Sequence, residues 1–457
     1  MEEIRILAPT GVLGSGYLIG SLNEGLRRQP HFIGVDAGST DPGPFFLGAG
    51  KCAFSRQACK RDLTPLLKGA RSLNIPLAIG SAGTAGTETQ LQWTYEIIEE
   101  ISRENGLHFR MALINAEQSK SYLTNKLKEG RIKPLVPVLP ISEELIKRSE
   151  HIVAMMGVEP YIQALSEGAD VILAGRSSDP AVLASFCIEK GFDPGLSWHA
   201  GKILECGTAA TELRKRPDCM IACLYKDHFT VEPLDPDVKC TPQSVAAHSL
   251  YENYDPHYIQ ESSGTLDISE AAYQAVSDRA VKVSGSKFIL REPLTLKLEG
   301  AEFVGYQSIL IGSIRDPIII RQIDDWLDRL KEKVWERIEE LYPDTAKRGN
   351  LTVFYHLYGK NGTMGALEPI KEILSHEVCI ITEVTAESQE IATAIASSIR
   401  HIALHLPVPE WSGLITGLAT PYSPPYLERG PVYRFNLNHV LEVEDPMEAF
   451  QIEIISI

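Results

Sequence analysis

Apolar residues recur along this chain in two rhythms, and the rhythm changes near the middle. Up to about residue 185, short β-branched runs are separated by stretches whose apolar positions return every three or four residues. This is the pattern of a parallel sheet covered by helices. The runs IRILAP, HFIGVDA, IPLAIGSA, FRMALINA, HIVAMMG and DVILAG predict six strands, each followed by a helical stretch. In TETQ, Thr87 and Gln90 form a capping box, with hydroxyl and amide each reaching the other's backbone. In SSDPAVLASF, Asp179 reads as an N-cap and Pro180 as the first helical residue. This half is expected to be a doubly wound, mostly parallel α/β sheet.

The second half has longer, unevenly spaced strands, CMIACLYKDHFTVEPL, RAVKVSGSKFIL and LTLKLEGAEFVGYQSILIG, and no regular crossover rhythm. It reads as an α+β domain. Ile323, Trp326, Leu327, Leu330, Val334, Ile338 and Leu341 recur at helical spacing and predict a core-facing helix. A second helix is expected after VCIITEV, with Ile391, Ile395, Ile399 and Ile402 on one stripe. At 457 residues the chain is expected to hold two domains, 1–210 and 211–457, with a soft boundary near 200–220.

A net charge of -16 without a Lys/Arg cluster argues against nucleic acid as a partner. No run of eighteen apolar residues appears, so no membrane span is expected. An acidic pair at the N-terminus stands where a signal or transit peptide needs basic residues, and the cytoplasm is the expected address. The eight cysteines are scattered without C-x-x-C pairs and read as free thiols.

Open parallel sheets bind ligands outside the carboxyl ends of their strands. The loops there, TGVLGSG, DAGSTDPGP, GSAGTAGT, NAEQSK, GVEP and GRSSDP, are rich in Gly, Ser and Thr, each of the last five with few charged groups, and together they predict one polar cleft. Asp36-Ala-Gly-Ser39-Thr40 begins as the first phosphate loop of actin-like ATPases does. Pro42 and Pro44 then remove backbone donors where a phosphate hairpin needs them. GVLGSG is not the G-x-G-x-x-G of a dinucleotide fold. Arg176, at the end of an apolar run, needs an anionic partner, either internal or a ligand. Glu159 and Asp179 also have a plain helix-terminal reading. Cys206 in ILECGTAAT stands where a helix N-terminus would activate a thiolate, against the commoner buried thiol; Cys219 and Cys223 read as core. His401 and His405 have ligand spacing but lack the glutamate and the third ligand of a zinc helix, and no metal site is expected.

The segments GVDAGSTDPGP, IGSAGTAG, INAEQSK, IVAMMGVEPYI, LAGRSSDPA, KILECGTAA, SVAAHSLYEN and RAVKVSGSKF, in that order, resemble the acyclic terpene utilisation family AtuA over nearly the whole chain. The resemblance implies a bacterial catabolic protein working beside enzymes of carboxylic acids and acyl-CoA thioesters. Longer members carry a further small C-terminal domain, and the resemblance implies that its counterpart here is either a separate small subunit acting as a partner or absent. The expected function is an enzyme, or the large subunit of one, that adds or removes water or abstracts a proton next to a carboxyl or thioester. Such a hydro-lyase needs a base, an acid and an oxyanion site but no redox cofactor, and no cofactor is expected. Asp36 or Glu117 would be the base and His248 the acid. Arg176, with Ser177, Ser39 and Thr40 around it, would anchor a small anionic acid, and the Ser81 to Gly83 backbone would hold the oxyanion. A homo-oligomer is expected. The rival classes are an actin-like nucleotide-dependent phosphotransferase, with Asp36, Ser39 and Thr40 as phosphate and magnesium contacts, and a non-catalytic scaffold subunit.

Overall fold

A computed structural model describes residues 2–135, 138, 140–349, 351–410 and 417–457. The chain divides into two compact units, Met1–Glu302 with Phe435–Ile457, and Phe303–Arg434. The change of rhythm near residue 210 marks the point within the first unit where added strands turn antiparallel.

The strands of the first unit in chain order are β1 (Ile4–Ala8), β2 (Phe32–Asp36), β3 (Leu77–Gly80), β4 (Arg110–Asn115), β5 (Ile132–Pro134), β6 (Ser149–Met155) and β7 (Val171–Ala174). They are followed by β8 (Met220–Leu224), β9 (Phe229–Pro233), β10 (Tyr258–Gln260), β11 (Gly264–Asp267), β12 (Ala272–Ala275), β13 (Val281–Ser284), β14 (Lys287–Leu290) and β15 (Leu294–Ile314), whose later residues enter the second unit. The main sheet has ten strands in the order β12-β13-β9-β8-β1-β2-β3-β7-β4 and then the strand Gln451–Ser456. Its centre, β1-β2-β3-β7-β4, is parallel, and every further strand joins antiparallel. Five of the six expected strands are these parallel ones. The sixth, HIVAMMG, is β6, which pairs instead with β15 in a separate sheet. Its β-branched composition marks a strand but carries no information about the partner.

The strand order dictates which face each helix covers. The path β1→β2→β3→β4 runs one way across the sheet and β4→β7→β8 runs back, so right-handed crossovers put their helices on opposite faces. Accordingly α1 (Ile19–Arg27), α3 (Arg56–Leu73) and α4 (Glu88–Asn105) pack Leu22, Leu63, Leu66, Ile97 and Ile98 with Leu7, Ile33, Leu77 and Met111. The other face, with Ile4, Ile6, Phe32, Ala78 and Ala112, receives α5 (Lys120–Lys128), α6 (Glu143–Arg148), α7 (Glu159–Ser166), α8 (Asp179–Glu189) and α9 (Pro194–Leu204). Alternate residues of each strand thus feed two separate cores. The short helix α2 (Pro44–Ala49) follows β2, and α10 (Pro242–Ser249) follows β9.

In the second unit, residues Tyr306–Ile314 pair with the strand Val378–Ala386, which pairs with Thr352–Tyr358. The helices Ile323–Leu341 and Gln389–His405 bury Ile323, Trp326, Leu330, Val334, Ile338, Ile395 and Ile399 in the core of this unit. Leu341 departs from the expected stripe and is half exposed, because the helix ends there. Among the described residues, no helix is long and apolar enough to cross a membrane.

Candidate functional site

Because β2, β3, β7 and β4 are parallel and in register, with Asp36 beside Gly80 and Ile114 beside Ala174, their following loops leave the same edge of the sheet. After β3 the chain turns to one face through α4, and after β7 to the other through α8. The gap between those two adjacent loops is a topological switch point, the ordinary ligand position of an open α/β sheet.

The floor of this gap is main chain. A Cβ on Gly86 would lie 2.1 Å from the Arg176 nitrogen, and one on Gly38 would lie 2.6 Å from the Thr84 Cα. A Cβ on Gly175 would meet the Gly86 carbonyl at 2.8 Å. Gly38 and Gly86 also have φ of +146° and +68°, so no other residue fits the approach or the conformation easily.

Around this floor stands a set of charged side chains, most of them buried. Asp36, the last residue of β2, is 6% exposed; its Oδ2 accepts from the Gly38 N–H at 2.9 Å and its Oδ1 is buried with no partner. Asp179, the first residue of α8, keeps 32% of its side chain open. Lys202 near the end of α9 donates to Glu205 Oε1 at 2.6 Å, while Glu205 Oε2 is buried without a partner. Glu261, just after β10, accepts from the Ser178 hydroxyl at 2.5 Å. Glu299 on β15 is shared by Arg176 Nε at 2.8 Å, the Thr40 hydroxyl at 2.7 Å and Lys297 at 2.8 Å.

Burial separates these carboxyls by protonation. Asp36 is pushed well above the usual range by burial and by the charge of Asp179, and Asp179 is raised by burial against the opposing pull of Arg176. Burial likewise lifts Glu205 to about 8 and Glu261 to about 7, although Lys202 pulls both down. Glu299 goes the other way: Arg176 and Lys297 outweigh its burial and hold it at about 2. The result is a fixed anion at Glu299 and, in Glu205 and Glu261, two acids that hold protons near neutrality.

Several sequence expectations change here. Arg176 is 5% exposed and its partner is internal, Glu299, with Nη1 also on the Ser177 carbonyl at 2.5 Å and 3.4 Å from Asp179. Two N–H groups of the Ser81 turn are already spent: those of Ser81 and Ala82 are bonded to the Gly175 and Ala174 carbonyls, and the Ser81 hydroxyl accepts from the Ser177 N–H. Gly83 faces Gln90 and Cys52 of the covering side. The Ser177 hydroxyl is fully buried against Tyr161 at 2.7 Å. The Thr40 hydroxyl goes to Glu299, and that of Ser39 to Asp41 at 2.8 Å. Asp179 is not the cap; that position is Ser178, whose hydroxyl is committed to Glu261. Glu159 is the first residue of α7 and accepts from the Ser263 hydroxyl at 2.9 Å. The capping box of Thr87 and Gln90 is present.

Glu117 follows β4 and sits over the start of α4, accepting from the Glu88 N–H at 2.8 Å and bonding His151 Nδ1 at 2.6 Å. The pair lines a cavity of about 820 Å³ with Trp93, Tyr95, Asn115 and Gln451. Its hydrogen bonds lie away from the carboxyl set. His248 on α10 is 7% exposed, and burial with the Lys202 and Arg214 charges pushes it down to about 4. The imidazole is thereby held neutral at pH 7. Cys206 is not activated, since burial raises its thiol. Among the described residues, no group of three or more His, Cys, Asp or Glu is placed to hold a metal ion.

The residues that sequence reasoning missed are Lys202, Glu205, Glu261 and Glu299. One signal was present: KILE, in which Lys202 and Glu205 stand three apart beside apolar positions, a pair that packs inward only if it is mutually neutralised. Glu261 and Glu299 have no local signature.

No curated protein and no solved structure matches the chain. Residues 52–213 and 233–428 match the model of the Acyclic terpene utilisation family protein AtuA. These stretches include Ser81, Arg176, Asp179, Lys202, Glu205, Glu261 and Glu299, and the chain belongs to the AtuA family.

Proposed function

We propose that this chain is an acid–base catalyst of hydro-lyase type acting on a carboxylic acid or its CoA thioester at the switch-point crevice. The observation that carries the reading is the pair of like-charged neighbours Asp36 and Asp179. The first is buried with an unpartnered oxygen, and the second opens to solvent beside Arg176. Two carboxyls that repel each other divide into one acid and one base. Asp36, pushed well above the usual range, is the acid; Asp179, whose rise on burial is opposed by Arg176, is the base.

In the dehydration direction Asp179 takes the proton from the carbon next to the carbonyl. Asp36 gives its proton to the leaving hydroxyl, which departs as water, and a carbon–carbon double bond forms. Hydration runs the same steps backwards. Glu205 and Glu261 act through the proton balance of the set. Arg176 is a positioning residue, held by Glu299 so that it faces Asp179 in a fixed direction.

The test is proton exchange. Branched β-hydroxy and α,β-unsaturated acids and their CoA thioesters are incubated in D2O, and loss of the α-proton signal is followed by NMR. Wild-type protein should exchange at least one substrate, and Asp179→Asn should abolish it. Exchange at an equal rate in Asp179→Asn, or none with stoichiometric protein across the panel, would sink the reading.

A further inference from the structure

The Glu117–His151 pair has no part in the crevice chemistry, yet it stands in a cavity of its own in the first unit. That cavity, of about 820 Å³, is lined by α4 on one side and by β4 with the strand Gln451–Ser456 on the other. Leu113 and Asn115 line it together with their cross-strand partners Glu453 and Gln451. A hollow of about 470 Å³ shares Glu88, Asn115, Glu117 and Gln451, so the two meet at these residues.

The polar groups here are fixed in an order that leaves two of them open. The Glu117 N–H donates to Asn115 Oδ1 at 2.9 Å, Glu117 Oε2 accepts from the Glu88 N–H at 2.8 Å, and Oε1 bonds His151 Nδ1 at 2.6 Å. A carboxylate on Nδ1 holds the ring proton there and leaves the lone pair of the neutral imidazole on Nε2. Among the described residues Nε2 has no hydrogen-bond partner, and 22% of the side chain is exposed. Gly50 keeps that nitrogen clear, since a Cβ there would lie 3.2 Å from it. Asn115 uses its oxygen on Glu117, and its NH2 makes no hydrogen bond among the described residues. A base, the group that orients it and an amide donor thus line one cavity, which is the set needed to activate water against a carbonyl.

The surrounding charge selects the substrate. No Lys or Arg lines the cavity, whereas Glu88, Glu96 and Glu453 do, with carboxylates that form no ion pair or hydrogen bond among the described residues. A negative field of this kind repels an anionic substrate and helps to expel a carboxylate product. Leu113, Trp93 and Tyr95 supply apolar wall.

We propose that the cavity beside α4 is a second catalytic centre, in which His151 activates water to hydrolyse uncharged carboxylic esters. His151 Nε2 takes a proton from water as the water oxygen bonds to the ester carbonyl carbon, and the Asn115 NH2 donates to the oxygen that becomes negative. The carbon–oxygen bond to the alcohol then breaks, and the departing alcohol oxygen takes the proton from Nε2. One water and one ester give one acid and one alcohol. Glu117 is a positioning residue that acts through the imidazole. None of this depends on the crevice.

The test is ester hydrolysis by the full chain, with ethyl butyrate and phenyl butyrate as uncharged probes and the monoethyl ester of succinic acid as the anionic one. Both butyrates should be hydrolysed, and the succinate ester should be slower by about tenfold or more. The rate should rise with pH through a midpoint above the ordinary 6.5 of an imidazole, because the base form is needed and Glu117 raises His151. Burial and Lys120 of α5 oppose that rise, and Glu150 of β6 supports it. Of the other elements around the ring, α2 has no titratable side chain, β15 sets Ala301 opposite, and α4 adds Glu88 to the cavity. His151→Gln should lower the rate by about 10²-fold or more. Glu117→Gln should lower kcat with KM unchanged and move the midpoint down towards 6.5, which a purely structural role would not do. No hydrolysis of either butyrate, equal hydrolysis in His151→Gln, or equal rates on the anionic ester overturns the proposal. Should His151→Gln fail to fold, the parent decides: a rate that does not rise with pH through such a midpoint overturns it as well.

Discussion

Arg176 Nε donates to Glu299 Oε2 at 2.8 Å, and the two side chains expose only 7% and 5% of their surface. An ion pair this deep is held by its completeness. Thr40 and Lys297 fill the other oxygen of Glu299, so the carboxylate has no lone water-facing side. Removing the guanidinium leaves the anion stranded in low dielectric. Arg176→Ala is therefore expected to lose about 3–5 kcal/mol of stability, read as a large fall in the urea midpoint. A variant that melts with the parent would show that the pair is solvated in solution.

The acid set makes stability depend on pH with a definite sign. Glu205 is raised from its ordinary 4.5 to about 8, and Glu261 from 4.5 to about 7. The folded state therefore binds more protons than the unfolded state between those values. Stability from these groups is full below about 4.5 and is lost as pH rises through 7 to 8. Denaturant midpoints should fall from pH 5 to pH 8, and Glu205→Gln should flatten the slope.

Glu299 contributes with the opposite sign. Its depression to about 2 gives stability that is present above its ordinary 4.5 and disappears as pH falls towards 2. Glu299→Gln should remove that acid limb of the curve. An unchanged acid limb would assign it to other carboxyls.

For the chemistry, Asp36→Asn and Asp179→Asn are each expected to lower the rate by about 10²–10⁴-fold, the usual worth of a placed acid or base. Circular dichroism should be unchanged for Asp179→Asn, because its side chain keeps contact with solvent. The pH–rate profile should lose one limb in each variant, and loss of the same limb in both would contradict the division into acid and base.

Magnesium ATP should show no affinity that depends on Asp36. The loop's would-be phosphate ligands are already engaged: Asp36 Oδ2 by Gly38, the Thr40 hydroxyl by Glu299 and the Ser39 hydroxyl by Asp41. Micromolar binding abolished by Asp36→Ala would restore the actin-like reading.

The sequence made the local features legible. Five parallel strands, the capping box at Thr87 and the two long helices of the second unit all follow from periodicity and side-chain chemistry within a few residues. Asp36 and Arg176 were found because they close apolar runs at the edge where ligands bind. What periodicity does not carry is pairing across distance. HIVAMMG looks like its neighbours yet pairs with β15, some 145 residues on. Glu261 and Glu299 reach the crevice from segments with no bearing on the parallel sheet, and a carboxylate in such a segment reads as surface until its partners are seen. Arg176 was ambiguous for the same reason, since its anionic partner is 123 residues away.

The crevice floor of Gly38, Gly86 and Gly175 has a consequence for anyone wishing to change what this protein acts on. Atoms of the peptide backbone offer a library of variants nothing to vary, and a bulkier residue at any of the three would wedge the loops apart before it touched a substrate. Selectivity must then be redesigned from the side chains that stand around that floor, while the bottom of the site behaves as a template inherited unchanged by every variant that still folds.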